Sequence, residues 1–170
     1  MKISKTKLPG LLLILREGHR DHRGVYVMNY REDLYRKNGI RVHFVEDDHS
    51  RSKKNVLRGI HADTKAWKLI SCPAGEIYVV IVNCNARSKF FGKWVGFTLS
   101  EDNHVQLLVP PKYGVSHLVR SASAVFLYKQ SEYYDPKRQA TYRFDDSRFK
   151  IRWPITRPIL SKRDRLGRYA

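Results

Sequence analysis

The sequence predicts an all-β fold of the sandwich or barrel type. Its apolar segments are short, they are separated by turn residues at roughly ten-residue spacing, and only one stretch has clear helical character. Many short strands with regular turn signals close into two packed sheets or a barrel, because each strand has one face to bury.

Taken in order, the first apolar run is Leu11 to Leu15, far shorter than the ~20 residues that cross a bilayer. No small-residue cleavage site follows it, so neither a membrane span nor a signal peptide is expected. Glu32 to Asn38, closed by Gly39, reads as a helix of about two turns. The clearest strands are Glu76 to Cys84 (EIYVVIVNC), Val105 to Val109 (VQLLV), His117 to Val119 and Ala124 to Tyr128 (AVFLY). Turns are expected at Pro73 to Gly75, Asn85 to Ser88, Ser100 to Asn103 and Pro110 to Gly114. The Pro-punctuated stretch Trp153 to Pro158 reads as a strap across the domain. With no internal repeat and no low-complexity linker, residues 1–170 are expected to form a single domain.

The chain carries 33 Lys and Arg against 16 Asp and Glu, a formal net charge of +17. A hydrophobic content of 42% argues against disorder, so the charge belongs to the surface of a globular protein. Such a surface favours an anionic partner: nucleic acid, a membrane surface, or a small polyanion such as a nucleotide diphosphate. Its cations are spread along the chain, with small clusters at Arg51 to Lys54 and Ser161 to Arg168 and no long basic tail. Cys72 and Cys84 are the only cysteines, and they lie in segments that read as strands and not in a C-x-x-C arrangement, so neither a disulfide scaffold nor a zinc ribbon is expected. Both are expected as buried thiols in a reducing cytoplasm.

The seven histidines form no H-x-H or H-E-x-x-H pattern, so no metal site is indicated. G-x-S-x-G, Walker-type and G-x-G-x-x-G motifs are absent, which removes the main support for hydrolase, phosphate-loop and dinucleotide-binding readings. What stands out is an ordered set: D-x-R-G at Asp21 to Gly24, V-L-R-G-I-H at Val56 to His61, F-G-K-W at Phe91 to Trp94. It continues with L-Y-K around Tyr128, Y-Y-D-P at Tyr133 to Pro136, W-P at Trp153, and P-I-L-S-K-R-D at Pro158 to Asp164. Together these resemble the nucleotide-sugar 3,5-epimerases of the cupin superfamily, the family of dTDP-4-dehydrorhamnose 3,5-epimerase. The resemblance runs from about Asp21 to Arg165.

The resemblance implies a cupin jelly roll, a double-stranded β-helix that pairs as a homodimer, with a ligand cavity between its sheets. It implies a cofactor-independent isomerase acting on a nucleotide-diphospho-4-keto-6-deoxy-sugar. A proton is removed beside the C4 ketone and another is returned to the opposite face, inverting C3, C5 or both. His61 falls on the family's base and Asp164 on the carboxylate that orients it. Histidine suits a base near neutral pH, and a carboxylate behind it fixes its tautomer. Tyr128 falls on the general acid and Lys68 on the residue that stabilises the enolate. Arg58 and Arg23 fall on diphosphate ligands, the latter often across the dimer interface, and Tyr134 on an aromatic that packs against the nucleotide. Arg58 precedes His61 by three positions, so the strand must bend or bulge between them, at Gly59, for both to reach one ligand.

Three departures bear on the substrate. Met28 stands where the family pattern has Glu, and Glu46-Asp47-Asp48 where it has Q-x-N; the resemblance implies that both positions read the nucleotide, so Glu46 and Asp48 are expected to bind substrate. In P-P-K-Y-G-V-S-H the motif histidine becomes Val115, and His117, two residues on and so on the same strand face, is expected to take its place. With H-x-D-x-K-x-x-K-L at His61 to Leu69, these features resemble the branch acting on GDP-linked 4-keto-deoxyheptoses. Two alternatives stand beside the epimerase: a cupin 3,4-ketoisomerase without need of the tyrosine, and a non-catalytic module binding RNA or anionic glycans. The epimerase reading expects a nucleotide-sugar partner and neither nucleic acid nor membrane.

Overall fold

A computed structural model of the chain describes residues 1–167; Arg168, at the end of the second basic cluster, lies outside them. The chain opens with strands β1 (Lys2–Lys5) and β2 (Leu12–Leu15), then the hairpin β3 (Gly18–Asp21) and β4 (Gly24–Val27). Helix α1 (Glu32–Lys37) follows, then β5 (Glu46–Lys53), β6 (Leu57–Asp63), β7 (Lys68–Ala74) and β8 (Glu76–Asn83). Next come β9 (Trp94–Ser100), β10 (Val105–Val109), β11 (Tyr113–Val119), β12 (Ser123–Gln130) and β13 (Gln139–Thr141). A short helix, α2 (Lys162–Arg165), closes the described chain.

One sheet has six strands in the order β1-β2-β10-β7-β12-β5, and the other five in the order β13-β6-β11-β8-β9. All pairings are antiparallel. The sheets alternate as the chain crosses between them, which is the jelly-roll arrangement expected. Inward residues of β8 (Ile77, Val79, Ile81) meet Ile70 of β7, Leu107 of β10 and Phe126 of β12 in the main core.

The apolar run of β8 does not alternate because its other face is covered too. Val82 packs on that face against Tyr142 and Phe149 of the C-terminal segment, beside Ile60 and Ala62. The stretch expected as a strap, Trp153 to Pro158, is part of this longer segment, with Trp153 against the Tyr78 ring of β8, ring centres 6.2 Å apart. Tyr142 exchanges backbone hydrogen bonds with Ile60, and Ile159 bonds to Asn55 and Leu57. The outer face of the six-stranded sheet is closed by α1 and the segment after it, with Tyr35 and Ile40 packed on Ile14, Leu69 and Leu108. Gly39 ends α1 at φ +86, as the glycine suggested.

Two boundaries differ from the sequence reading. The expected turn at Pro110 to Gly114 is shorter, because Tyr113 and Gly114 already belong to β11. Gly114 serves a close approach and not a turn: a Cβ there would meet Ile60 Cγ2 at 2.3 Å. Cys84 follows β8 and is half-buried, whereas Cys72 is buried, and burial pushes its thiol up to about 11. Among the described residues no helix is long and apolar enough to cross a membrane.

Candidate active site

A cavity of about 260 Å³ opens between the sheets. His61 and Arg58 enter it from β6, His117 from β11, Lys68 from β7, Tyr128 from β12 and Asp48 from β5. Residues far apart in sequence converge because the jelly roll threads alternate sheets.

The β6 wall explains how Arg58 and His61 share one ligand space. Pairing with β11 matches Val115 to His61 but His117 to Arg58, so β6 holds one extra residue between them. Gly59 sits in this bulge at φ +104, a conformation that side chains other than glycine's rarely adopt. The bulge expected at Gly59 is therefore present. Ser116 Oγ donates to the Arg58 carbonyl at 2.7 Å and pins the irregular backbone. The Arg58 guanidinium, exposed at the cavity mouth, donates from Nε to Ser52 Oγ at 3.0 Å.

His61 Nε2 lies 2.6 Å from Asp164 Oδ1. The strap delivers that carboxylate. Ser161 caps α2 by accepting the Asp164 backbone N–H at 3.1 Å, and its hydroxyl donates to Asp164 Oδ2 at 2.9 Å. Burial of Asp164 opposes its charge, but hydrogen bonds from His61, Ser161 and the Gly59 N–H, with the His61 charge, hold the carboxyl below its ordinary value. With Nε2–H directed at Asp164, the imidazole presents Nδ1 as its basic nitrogen.

Across the cavity, Tyr128 is paired in register with Asp48 on β5, whose charge and hydrogen bonding act on its hydroxyl. Burial, followed by the charge of Asp48 and this hydrogen bond, pushes the phenol up to about 12. The Lys68 ammonium sits 5.5 Å from the centre of the Tyr128 ring. Burial lowers its pKa, and Asp63 and Asp48 oppose that shift. His117 is 4% exposed and stacks on Phe126 with ring centres 4.2 Å apart. Burial foremost, then the charges of Arg58 and His61, lower its pKa to about 3, so it stands neutral beside His61.

Three expected binding residues lie outside the cavity of their own chain. Both Glu46 carboxylate oxygens are engaged, one by Gln130 Nε2 and the other by the Tyr134 backbone N–H at 2.9 Å, so Glu46 anchors the strand edge beside the cavity. The Tyr134 ring is 54% exposed. Arg23 lies at the β3–β4 turn, paired with Asp21 at 2.6 Å. Asp63 is buried and accepts from the N–H groups of Lys65 and Ala66, ordering the turn that leads to Lys68. Ser50 and Phe126 line the cavity and were not singled out from sequence. Each lies two residues from a named one, Asp48 or Tyr128, so period-two counting along the strand would have found them. Among the described residues no cluster of three or more His, Cys, Asp or Glu is placed to hold a metal ion.

The family model for dTDP-4-dehydrorhamnose 3,5-epimerase matches residues 5–169. The chain belongs to this family. It is 37% identical over 169 residues to the dTDP-4-dehydrorhamnose 3,5-epimerase of Escherichia coli (strain K12), covering 96% of this chain and 91% of the relative. The enzyme of that name from Salmonella typhimurium is 36% identical, with 96% and 92% covered. Among solved structures, the dTDP-6-deoxy-D-glucose-3,5-epimerase of Legionella pneumophila, in complex with dTDP-4-keto-L-rhamnose, superposes with a TM-score of 0.93. It is 34% identical, and the match covers 99% of this chain and 92% of that one. Membership makes the chain an isomerase of nucleotide-linked 4-keto-6-deoxy-sugars, and the jelly roll is the fold of its relatives.

Proposed function

We propose that the cavity inverts C3 and C5 of a thymidine-diphosphate-linked 4-keto-6-deoxyhexose, with His61 as base and Tyr128 as acid. The observation that carries this reading is their placement: His61 on the five-stranded sheet and Tyr128 on the six-stranded sheet face one cavity from opposite walls. Inversion needs that placement, since a proton must leave one face of the ring and return to the other. Protons beside a ketone are acidic only to the extent that the enolate is stabilised. Lys68, half-buried and close to Tyr128, supplies a cation for the C4 oxygen. Asp164 stabilises the imidazolium formed when His61 takes the proton.

Arg58 at the mouth is assigned to the diphosphate, which a planar guanidinium can bind through paired hydrogen bonds. Arg23 is assigned to the same group on a second copy, in a homodimer, because it is exposed at the β3–β4 turn and does not line its own cavity. The thymidine carrier follows the names of the relatives. The features that suggested a GDP-heptose do not favour it in the structure. Asp63 is spent on the β6–β7 turn, Lys65 is exposed, and Glu46 and Asp48 are engaged by Gln130, Tyr134 and Tyr128.

The test is proton exchange in D₂O with dTDP-, GDP- and CDP-linked 4-keto-6-deoxyglucose, followed at C3 and C5 by NMR. Deuterium uptake at both carbons of the dTDP sugar, abolished in His61→Ala, is the expected result. A folded protein that exchanges neither carbon of any of the three would overturn the assignment.

A further inference from the structure

We infer that Asp48 is a positioning residue for the proposed acid, orienting the Tyr128 hydroxyl and replacing the proton that Tyr128 gives to the sugar. The inference rests on the epimerase reading above and goes beyond it, because Asp48 was expected from sequence only as a residue that reads the nucleotide.

Four observations converge. Tyr128 and Asp48 are direct cross-strand partners on β12 and β5, and both side chains face the cavity. At a paired position on one sheet face the two side chains stay within reach of each other throughout turnover. The charge and hydrogen bonding of Asp48 act on the Tyr128 hydroxyl. Gln130, two residues along β12, holds the other side of this pair, with Nε2 bonded to Glu46 and 3.4 Å from Asp48 Oδ2. Glu46 is held by Gln130 Nε2 and the Tyr134 backbone N–H, whereas Asp48 is the carboxylate paired in register with Tyr128.

The chemistry gives this contact a purpose. When Tyr128 protonates the carbanion, its O–H bond breaks and a C–H bond forms, leaving a phenolate in a half-buried site. Burial foremost, then the hydrogen bond and charge of Glu46, raise the Asp48 carboxyl above its ordinary value, and the Tyr128 hydroxyl acts the other way. Asp48 passes a proton on to the phenolic oxygen and so refills the Tyr128 hydroxyl as it is spent. Water at the cavity mouth then reloads Asp48, which is only half-buried. His61 releases the abstracted proton to water on the other side, so one proton enters and one leaves per inversion. The charged and titratable groups around Asp48 are Glu46 and Asp47 on its own strand, Tyr128 on β12, Lys68 on β7, and Tyr134 beyond β12.

Asp48→Asn keeps size and hydrogen bonding but cannot carry a proton. With dTDP-4-keto-6-deoxyglucose in D₂O, removal of the substrate proton by His61 is expected to stay within about twofold of wild type while formation of inverted product falls about 10–100-fold. KM is expected to hold, so the loss lies in kcat. Adding Asp48→Asn to Tyr128→Phe is expected to change nothing further, because Asp48 acts through the tyrosine. Equal loss of exchange and inversion, a rise in KM at unchanged kcat, or an additive double variant would each overturn the inference; the second result would return Asp48 to nucleotide reading. If the wild-type protein itself shows no exchange, the epimerase reading fails, a result distinct from any of these. Asp48 lies on an edge strand and is not fully buried, and thermal melting of each variant confirms that folding is retained.

Discussion

Arg58 and His61 stand three residues apart on β6 and face the same cavity. On a regular strand that odd offset would turn them to opposite sides. Gly59 resolves the conflict at φ +104, and a Cβ there would meet the Val115 carbonyl oxygen at 2.5 Å, against backbone held in the sheet. Gly59→Ala is therefore expected to destabilise the protein by about 1–3 kcal/mol and to lower kcat/KM by misplacing the base, the arginine or both. Urea denaturation and steady-state kinetics check the two effects. Wild-type values in both would show that the bulge forms without glycine.

The His61–Asp164 contact has a kinetic and a thermodynamic consequence. Asp164→Asn removes the charge that supports the imidazolium, and kcat is expected to fall by about 10²–10⁴-fold. The Asp164 carboxyl is held below its ordinary value in the folded protein, so its stabilising contribution is complete above about pH 4 and is lost as pH falls through the lower folded value. Asp164→Asn should be less stable at neutral pH and should lose stability less steeply below about pH 4. Melting temperature against pH distinguishes this from a purely kinetic role, which would leave the acid limb unchanged.

Lys68 is half-buried beside Tyr128 and makes no direct ion pair among the described residues. A cation kept in this state is placed for charge that appears only during reaction. Lys68→Met, which preserves the stem, is expected to lower kcat by about 10²–10³-fold and to suppress exchange at C3 and C5 alike, since both pass through an enolate on the C4 oxygen. Full exchange in this variant would assign the enolate to another donor. Tyr128→Phe should behave differently, retaining exchange from the His61 side while losing inverted product.

The sequence revealed most where patterns are local. The β8, β10 and β12 segments announce themselves by apolar content, and α1 by its terminal glycine, because burial and capping act within a few residues. The β3–β4 hairpin was silent: its residues are almost all exposed, so no apolar alternation marks it. Tyr113 and Gly114 were hidden by the prolines before them, since Gly114 is required by Ile60, a neighbour across the sheet that no local pattern reveals. His61, Asp164, Tyr128 and Lys68 were legible only as a family resemblance. Nothing in their spacing shows that a strap would bring residue 164 to within 2.6 Å of residue 61. Asp48 was noticed as a departure, but its partner Tyr128 became visible only with the β5–β12 register.

His117 offers a test of the cavity wall that does not depend on catalysis. It is enclosed by Phe126 and lies near Arg58 and His61, and its pKa is lowered to about 3. The unfolded chain binds a proton at this residue near pH 6.5, whereas the folded chain does so only near pH 3. Between those values the unfolded state carries more protons, so stability rises with pH across the window and declines as pH falls from 6.5 toward 3. His117→Phe keeps an aromatic ring to stack on Phe126 and removes the titration. Its melting temperature is expected to fall less between pH 6.5 and 4 than that of the wild type, with the Asp164 contribution appearing only at the acid end. An identical slope in the two proteins would mean that His117 titrates in the folded state much as it does unfolded, and that water reaches the wall behind His61.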